Sequence, residues 1–501
     1  MDKVENSKAL VRGLGPLDAT TIVIGSMIGS GIFITSAESA RLVGSPGWLV
    51  MAWVLAGVMT ICGALCLAEV AAMMPRAGGP YVFLSEAYNP SVGFLFGWAQ
   101  FLVVQTGTIA AVAVAFANFS GVLVPQISGT SYLVGPFILG SYAFSLSTQQ
   151  LVAIAVIALL TFINMRGLKM GKLIQNSFTF TKTAALLALV LLGLFVGWNA
   201  GGAAFTSDLW NPIANGWNIE AVQPAAAGFG ALAFWMVLGR AMTGPLFSQS
   251  AWNNVTFTAG EVENPGKNLP RALLLGCLMV VALYITANIA YTVVLSLPEI
   301  QNAPQNRVGT AMMQAIFGPT GAILMAIAIM ISTFGCNNGL ILAGARVYYA
   351  MAKDRLFFSG LAKTNRFHVP AVALVAQGIW AALLVLPRTV TYNTQAPTTP
   401  ILGNVYTQIL EYVVSVELVF GALSVLAVIV LRRRRPDMER PYRAWGYPVV
   451  PVIFIVLSIL LVINLAFLAP ATSGIGYLIV LTGIPVYFIW RKRRAAESSL
   501  T

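Results

Sequence analysis

The chain has 501 residues, 58% of them hydrophobic and 9% charged, with mean hydropathy +0.80 and a formal net charge of +12. A water-soluble globular chain is about 25% charged, so this composition excludes a soluble enzyme or binding domain and points to lipid as the solvent. The basic excess abuts apolar runs, where anionic headgroups lie, so it speaks for a lipid membrane and against nucleic acid as partner.

Met1 to Leu14 are charged and mixed in sign, without the form of a cleavable signal peptide. Apolar runs of the roughly 20 residues needed to cross a bilayer then recur near 16–42, 47–74, 91–124, 148–165, 173–199, 234–262, 270–296, 320–350, 369–388, 403–431, 448–469 and 472–490. Twelve spans put both termini on one side. Arg166, Lys169 and Lys172, Lys353 to Arg366, Arg432 to Arg435, and Arg491 to Arg494 all fall on that side, whereas 125–147 carries no charge. The positive-inside rule makes it the cytoplasm.

The first span is interrupted at Gly25-Ser26-Met27-Ile28-Gly29-Ser30-Gly31-Ile32-Phe33. Non-helical backbone at membrane depth is tolerated only where it lines a cavity or is buried in protein. The competing reading of Gly25 and Gly29 is close helix packing of the GxxxG kind. Glu69, Arg76 and Glu86 at the cytoplasmic ends of spans two and three suit an ion-pair or capping network. Thr106 and Thr108 on span three, and Asn337 and Asn338 on span eight, are cavity contacts or helix–helix hydrogen bonds.

Lys182 lies within span five, and a lysine at that depth is a functional hypothesis by default; the alternative is snorkelling to the cytoplasmic face. A second interruption, Thr243-Gly244-Pro245-Leu246-Phe247-Ser248-Gln249-Ser250-Ala251-Trp252-Asn253, falls in span six, after an apolar stretch 222–236 that suits a separate external helix. Paired breaks in two halves of a chain point to a transporter site at the midplane. Arg240 lies toward the outer mouth. In span ten, Glu411 is nearer the outer surface and Glu417 nearer the centre. Glu417 could contact a substrate side chain, carry a proton, or be a buried glutamate bonded to neighbouring helices.

Cys62, Cys66, Cys277 and Cys336 sit inside spans and read as packing residues. The lone histidine, His368, is in a loop. Neither pattern supports a metal, a cofactor or an intramembrane enzyme, and without GxxxxGK[ST] ATP-driven transport is unsupported. A channel or a nutrient sensor stays open.

Gly29-Ser30-Gly31-Ile32-Phe33, Met74-Pro75-Arg76-Ala77-Gly78-Gly79-Pro80-Tyr81, Trp252-Asn253-Asn254, Glu261-Val262-Glu263-Asn264-Pro265, Gly344 to Asp354 and Arg440 to Pro448, in that order, resemble the amino acid–polyamine–organocation superfamily. The likeness spans nearly the whole chain and is greatest to bacterial relatives of the L-type amino acid transporters. It implies an all-α membrane protein of twelve transmembrane helices, with a five-plus-five inverted repeat (the LeuT-like arrangement) and broken helices one and six. The repeats would be 1–200 and 201–435, with 436–501 added outside them. It implies a multi-pass protein of the cell (inner) membrane.

The resemblance further implies a sodium-independent amino acid exchanger, with a proton-coupled importer of cationic amino acids or polyamines as the alternative. Amides of Ser30 and Gly31 would take the substrate carboxylate. Carbonyls around Ile28, and across the cavity around Phe247 and Ser250, would take the ammonium. Gly29 would let the ligand approach, Ser248 and Glu417 would line the pocket, and Phe247 would be a gate or else a lipid-facing or core aromatic. Lys182 would stand in for a sodium ion. The family usually has glycines where this chain has Ser248-Gln249-Ser250-Ala251. Eukaryotic relatives join an accessory subunit through a cysteine between spans three and four; 125–147 has none, so no covalent partner is implied.

Overall fold

The computed structural model describes residues 13–140, 142–196, 208–393 and 396–498. Met1 to Val11 and Arg12 of the N-terminal segment, and 197–207 of the loop before span six, lie outside the described residues. The helices that position the site are α1 (Pro16–Met27), α2 (Gly31–Val43), α3 (Pro46–Met73), α4 (Pro90–Leu123), α5 (Thr148–Met165) and α6 (Leu168–Phe195). They continue with α7 (Ala231–Ala241), α8 (Thr243–Ser248), α9 (Asn254–Phe257), α10 (Pro265–Val294), α11 (Val308–Lys353), α12 (Ala371–Leu384), α13 (Val405–Arg434), α14 (Val449–Leu468) and α15 (Pro470–Arg491). Pro16, Pro46, Pro90 and Pro265 open their helices where a missing N–H costs nothing. Gly44, at φ 63°, ends α2 in the left-handed region.

Ten helical stretches among the described residues are long and apolar enough to cross a bilayer, rather than the expected twelve. The two shortfalls have distinct causes. The expected sixth span is divided into α7, α8 and α9, none of which reaches across alone. The expected ninth is α12, only 14 residues, because the chain turns into a strand at Pro387. The stretch 222–236 is not one separate helix either: a 3-10 turn over Pro224–Phe229 ends at Gly230 (φ 55°), and α7 follows.

The membrane-spanning stretches are helical, as expected, and the loops add a small sheet. Strands β1 (Tyr132–Leu139), β2 (Tyr142–Ser147), β3 (Pro387–Asn393) and β4 (Ala396–Leu402) form one antiparallel sheet in the order β1-β2-β3-β4. Two loops far apart in the chain satisfy backbone groups by pairing with one another. The sheet lies at the end of α13 opposite Arg432–Arg434.

At that other end, the chain start is tied down. Leu14 pairs in parallel with Val262, and the buried Glu261 carboxylate meets Arg346 of α11 at 2.8 Å. Glu69 of α3 is 1% exposed and binds Arg432 at 2.6 Å, Arg440 at 3.5 Å and the Ala444 amide at 2.7 Å. Glu86 stands 4.0 Å from Arg76 and 3.8 Å from Arg435. The expected ion pairs therefore fall into two clusters, one buried around Glu69 and one exposed around Glu86 that includes Arg76.

Candidate substrate site

Between α1 and α2 the backbone leaves the helix at Ile28 (φ −73°, ψ 93°) and re-enters at Gly31. Its freed carbonyls are met by side chains. Cys336 Sγ donates to Ser26 O at 3.2 Å, Tyr284 Oη to Met27 O at 2.8 Å, and Ser332 Oγ reaches Ile28 O and Gly29 O at 3.4 Å each. The amides of Ser30, Gly31 and Ile32, at the start of α2, find no acceptor among the described residues. The break thus leaves donors open, and these form the positive end of the α2 dipole.

Polar side chains of α10 hold this unwound segment. Tyr284, Asn288 and Tyr291 lie at i, i+4 and i+7, on one face of the helix. Besides the Tyr284 bond, Ser36 Oγ donates to Asn288 Oδ1 at 2.7 Å and Tyr291 Oη to Ile32 O at 3.3 Å. Sequence reasoning missed this face, although its helical spacing within an apolar span is a readable signal.

Lys182 is 1% exposed and its ammonium donates to Gly25 O, in the last turn of α1. The snorkelling alternative is therefore wrong: the charge is turned inward. Gln175 and Thr179, on the same helix, both donate to Thr21 O at 3.3 Å. A Cβ on Gly25 would sit 2.0 Å from Gln175 Nε2 and 2.4 Å from Thr179 Oγ1, so Gly25 serves close packing against α6.

The second break separates α8 from α9 over Gln249–Asn253, and Ala251 takes φ 63°. A left-handed alanine costs of the order of 1–2 kcal/mol, at a segment where the resemblance leads one to expect glycine. The two breaks touch. Thr35 Oγ1 and Ser248 Oγ are 3.2 Å apart, Ser39 Oγ donates to Ala241 O at 2.8 Å, and Gly244 leaves no room for a Cβ, which would stand 2.6 Å from Thr35 Cβ.

Phe247 is 5% exposed and meets the ring of Tyr406 edge to face, centroids 6.0 Å apart at 84°. Tyr406 Oη lies 3.2 Å from Ser30 Oγ. Phe247 is thus a buried aromatic joined to the first break through Tyr406, a residue that sequence reasoning did not select. Tyr406 also borders a cavity of about 40 Å³, toward the sheet end of α13, that includes Thr243, Arg240 and Glu411. Arg240 pairs with Glu411 at 3.5 Å and also donates to Gln223.

Toward the Arg432 end of α13 lies a narrow cavity of about 70 Å³, bordered by Gln100, Gln249, Ser250, Asn253 and Glu417. Half-buried Glu417 lies beside the Ser250–Ala251 turn. Gln100 opens a π-helical turn (Gln100–Val104) within α4, a distortion frequent at functional sites. The Oε1 atoms of Gln100 and Gln249 are buried without a partner. Ser250 and Glu417 therefore share this cavity, whereas Ile28, Gly29, Ser30 and Gly31 do not border it.

The minor candidates separate. Thr106 and Thr108 bond within their own helix, to Phe101 O and Val104 O. Asn338 accepts from Asn164 at 2.8 Å, while both polar side-chain atoms of fully buried Asn337 lack partners.

Comparison with known proteins agrees with this architecture. The serine/threonine exchanger SteT of Bacillus subtilis is 29% identical over 490 residues, covering 97% of this chain and 98% of that protein. The human Asc-type amino acid transporter 1 is 28% identical over 504 residues, covering 98% of this chain and 85% of the relative. The mouse large neutral amino acids transporter small subunit 2 is 29% identical over 481 residues, covering 96% and 81%. A family model described as amino acid permease matches residues 14–490, and the chain, a multi-pass membrane protein, belongs to that family.

Proposed function

We propose that this chain is a sodium-independent exchanger of neutral L-amino acids that works by alternating access. The observation that carries the reading is the meeting of two interrupted helices at Gly31 and Ser248, with unpaired amides on one and a buried ammonium behind it. A zwitterion entering a low-dielectric site needs partners for both charges. The amides of Ser30 and Gly31 take the carboxylate. The ammonium goes to the carbonyls of Ile28, whose 3.4 Å bond from Ser332 is easily exchanged, and of the segment around Phe247 and Ser250. Gly29 keeps the backbone approachable, and Ser248 lines the contact between the breaks. Phe247 gates the site with Tyr406, and Glu417 reads the side chain from the cavity toward the Arg432 end of α13.

Lys182 does the work of a sodium ion by holding α1 through Gly25 O. Alpha-helical spans one and six include the broken helices, α12 completes the ninth, and the twelve spans form a five-plus-five inverted repeat over 1–200 and 201–435, followed by 436–501. The termini face the cytoplasm of a cell whose inner membrane holds the protein. The substrates named for the relatives are neutral or hydroxylated amino acids, which favours that class over cationic ones. The mouse relative is named a small subunit, one part of an assembly. With no cysteine in 125–147, any such partner of this chain would be held without a disulfide at that loop.

Counterflow in proteoliposomes tests this. Labelled serine, alanine or leucine should enter vesicles preloaded with unlabelled amino acid equally well in sodium and choline buffers, and without a proton gradient. Uptake that requires sodium, or that accepts only arginine or polyamines, overturns the reading.

A further inference from the structure

A second cavity, of about 190 Å³, lies away from the breaks, beneath the sheet. Its walls are Leu102 of α4, Leu384 of α12, Ile409 of α13, and Ile475 and Ile479 of α15. Gln408, two tyrosines and one arginine are the polar residues at its border; the walls are otherwise apolar. Tyr142 and Tyr412, whose hydroxyls are 3.5 Å apart, stand at its border, a residue type enriched at membrane–water interfaces. The neighbouring strand β1 leaves Phe137 and Leu139 largely exposed, which suits acyl chains better than water.

One charged residue borders this space. Arg388, opposite Ala143 in the β2–β3 ladder, is 6% exposed. Among the described residues its Nε has no partner and its hydrogen bond is a long one, 3.4 Å, to Tyr132 Oη; the guanidinium also lies 5.6 Å over the Tyr132 ring, with Nη2 toward Gly129. No carboxylate pairs with it among the described residues. Burial lowers its pKa, as expected of a cation short of counter-charge. A buried guanidinium left like this is costly unless an anion arrives, and phosphate matches its fork of donors.

We propose that this groove is a binding site for an anionic phospholipid, its phosphate on Arg388 and an acyl chain laid between α4, α13 and α15. The charge complements the headgroup and the apolar walls complement the chain. The site is separate from the substrate path and does not rest on the transport reading.

Native mass spectrometry of the purified full chain, with phosphatidylglycerol or phosphatidylethanolamine added, tests this alongside thermal unfolding in the same micelles. The wild type should retain phosphatidylglycerol preferentially and melt higher with it. Arg388→Gln should cut retention at least tenfold and abolish the thermal gain. Ile479→Trp, which fills the groove and leaves Arg388 intact, should do the same; it decides the matter if Arg388→Gln fails to fold. Retention unchanged in Ile479→Trp overturns the proposal, as does equal protection by inorganic phosphate. A wild-type dimer that Ile479→Trp converts to monomer would assign the groove to a second copy and likewise overturn it.

Discussion

Gly31 and Ser248 stand so close that a Cβ on Gly31 would lie 2.1 Å from Ser248 Oγ, 2.6 Å from its Cβ and 2.8 Å from its Cα. The last distance matters most, because rotating a side chain cannot relieve a clash with backbone. The absence of a side chain at Gly31 is what brings two interrupted helices into contact.

Gly31→Ala should therefore abolish counterflow and lower stability by about 1–3 kcal/mol, the usual cost of overpacking. Adding Ser248→Gly removes the Oγ and Cβ clashes and leaves the Cα clash, so the double variant should regain only part of the lost stability. Thermal unfolding of the two variants checks this; full recovery would show that the backbones have slack.

Lys182→Met should cost more in transport than in folding. It removes the donor to Gly25 O and leaves a buried carbonyl unpaired, a loss of about 1–3 kcal/mol. Since α1 carries the open amides, uptake should fall at least tenfold while the protein still purifies as a monodisperse species. Wild-type rates in Lys182→Met would remove the lysine from the mechanism.

Tyr406→Phe and Tyr406→Ala separate two roles. The phenylalanine keeps the ring against Phe247 and loses the bond to Ser30, worth about 0.5–1.5 kcal/mol, so KM should move less than tenfold. Alanine removes the ring as well and should open the outer side. Labelling of a cysteine introduced at Thr243, in the cavity toward the sheet end of α13, should then become faster; unchanged labelling would argue against closure by these rings.

Glu69→Gln should act on stability. The carboxylate is buried against two arginines and an amide, and removing one partner of a buried ion pair costs about 3–5 kcal/mol. Thermal unfolding should drop markedly, whereas Glu86→Gln, an exposed and long-range pair, should cost about 1 kcal/mol or less.

Glu417→Gln preserves size and removes charge in the cavity toward the Arg432 end of α13. Competition among serine, glutamine and leucine in counterflow should change by about tenfold in ratio, about 1.4 kcal/mol, with total uptake of the preferred substrate reduced less. An unaltered ratio would reassign Glu417 to holding the Ser250–Ala251 turn alone.

What the amino-acid sequence settled by itself was whatever a run of residues decides locally. Length and hydropathy of a segment determine whether it can cross a bilayer, and glycine, serine and proline within such a segment announce a break, as at Ile28–Ser30 and Gln249–Asn253. Lys182 was legible because its depth in an apolar run is itself a local property. The tertiary structure decided which groups meet. Tyr406 lies 376 positions from Ser30, and Tyr284 lies 257 from Met27; no periodicity records such a pairing. The sheet was hidden for the same reason, since its two hairpins come from loops far apart in the chain. Lone hydrogen-bonding groups become a site only when packing brings their partners across the gap, and packing is a property of the whole bundle.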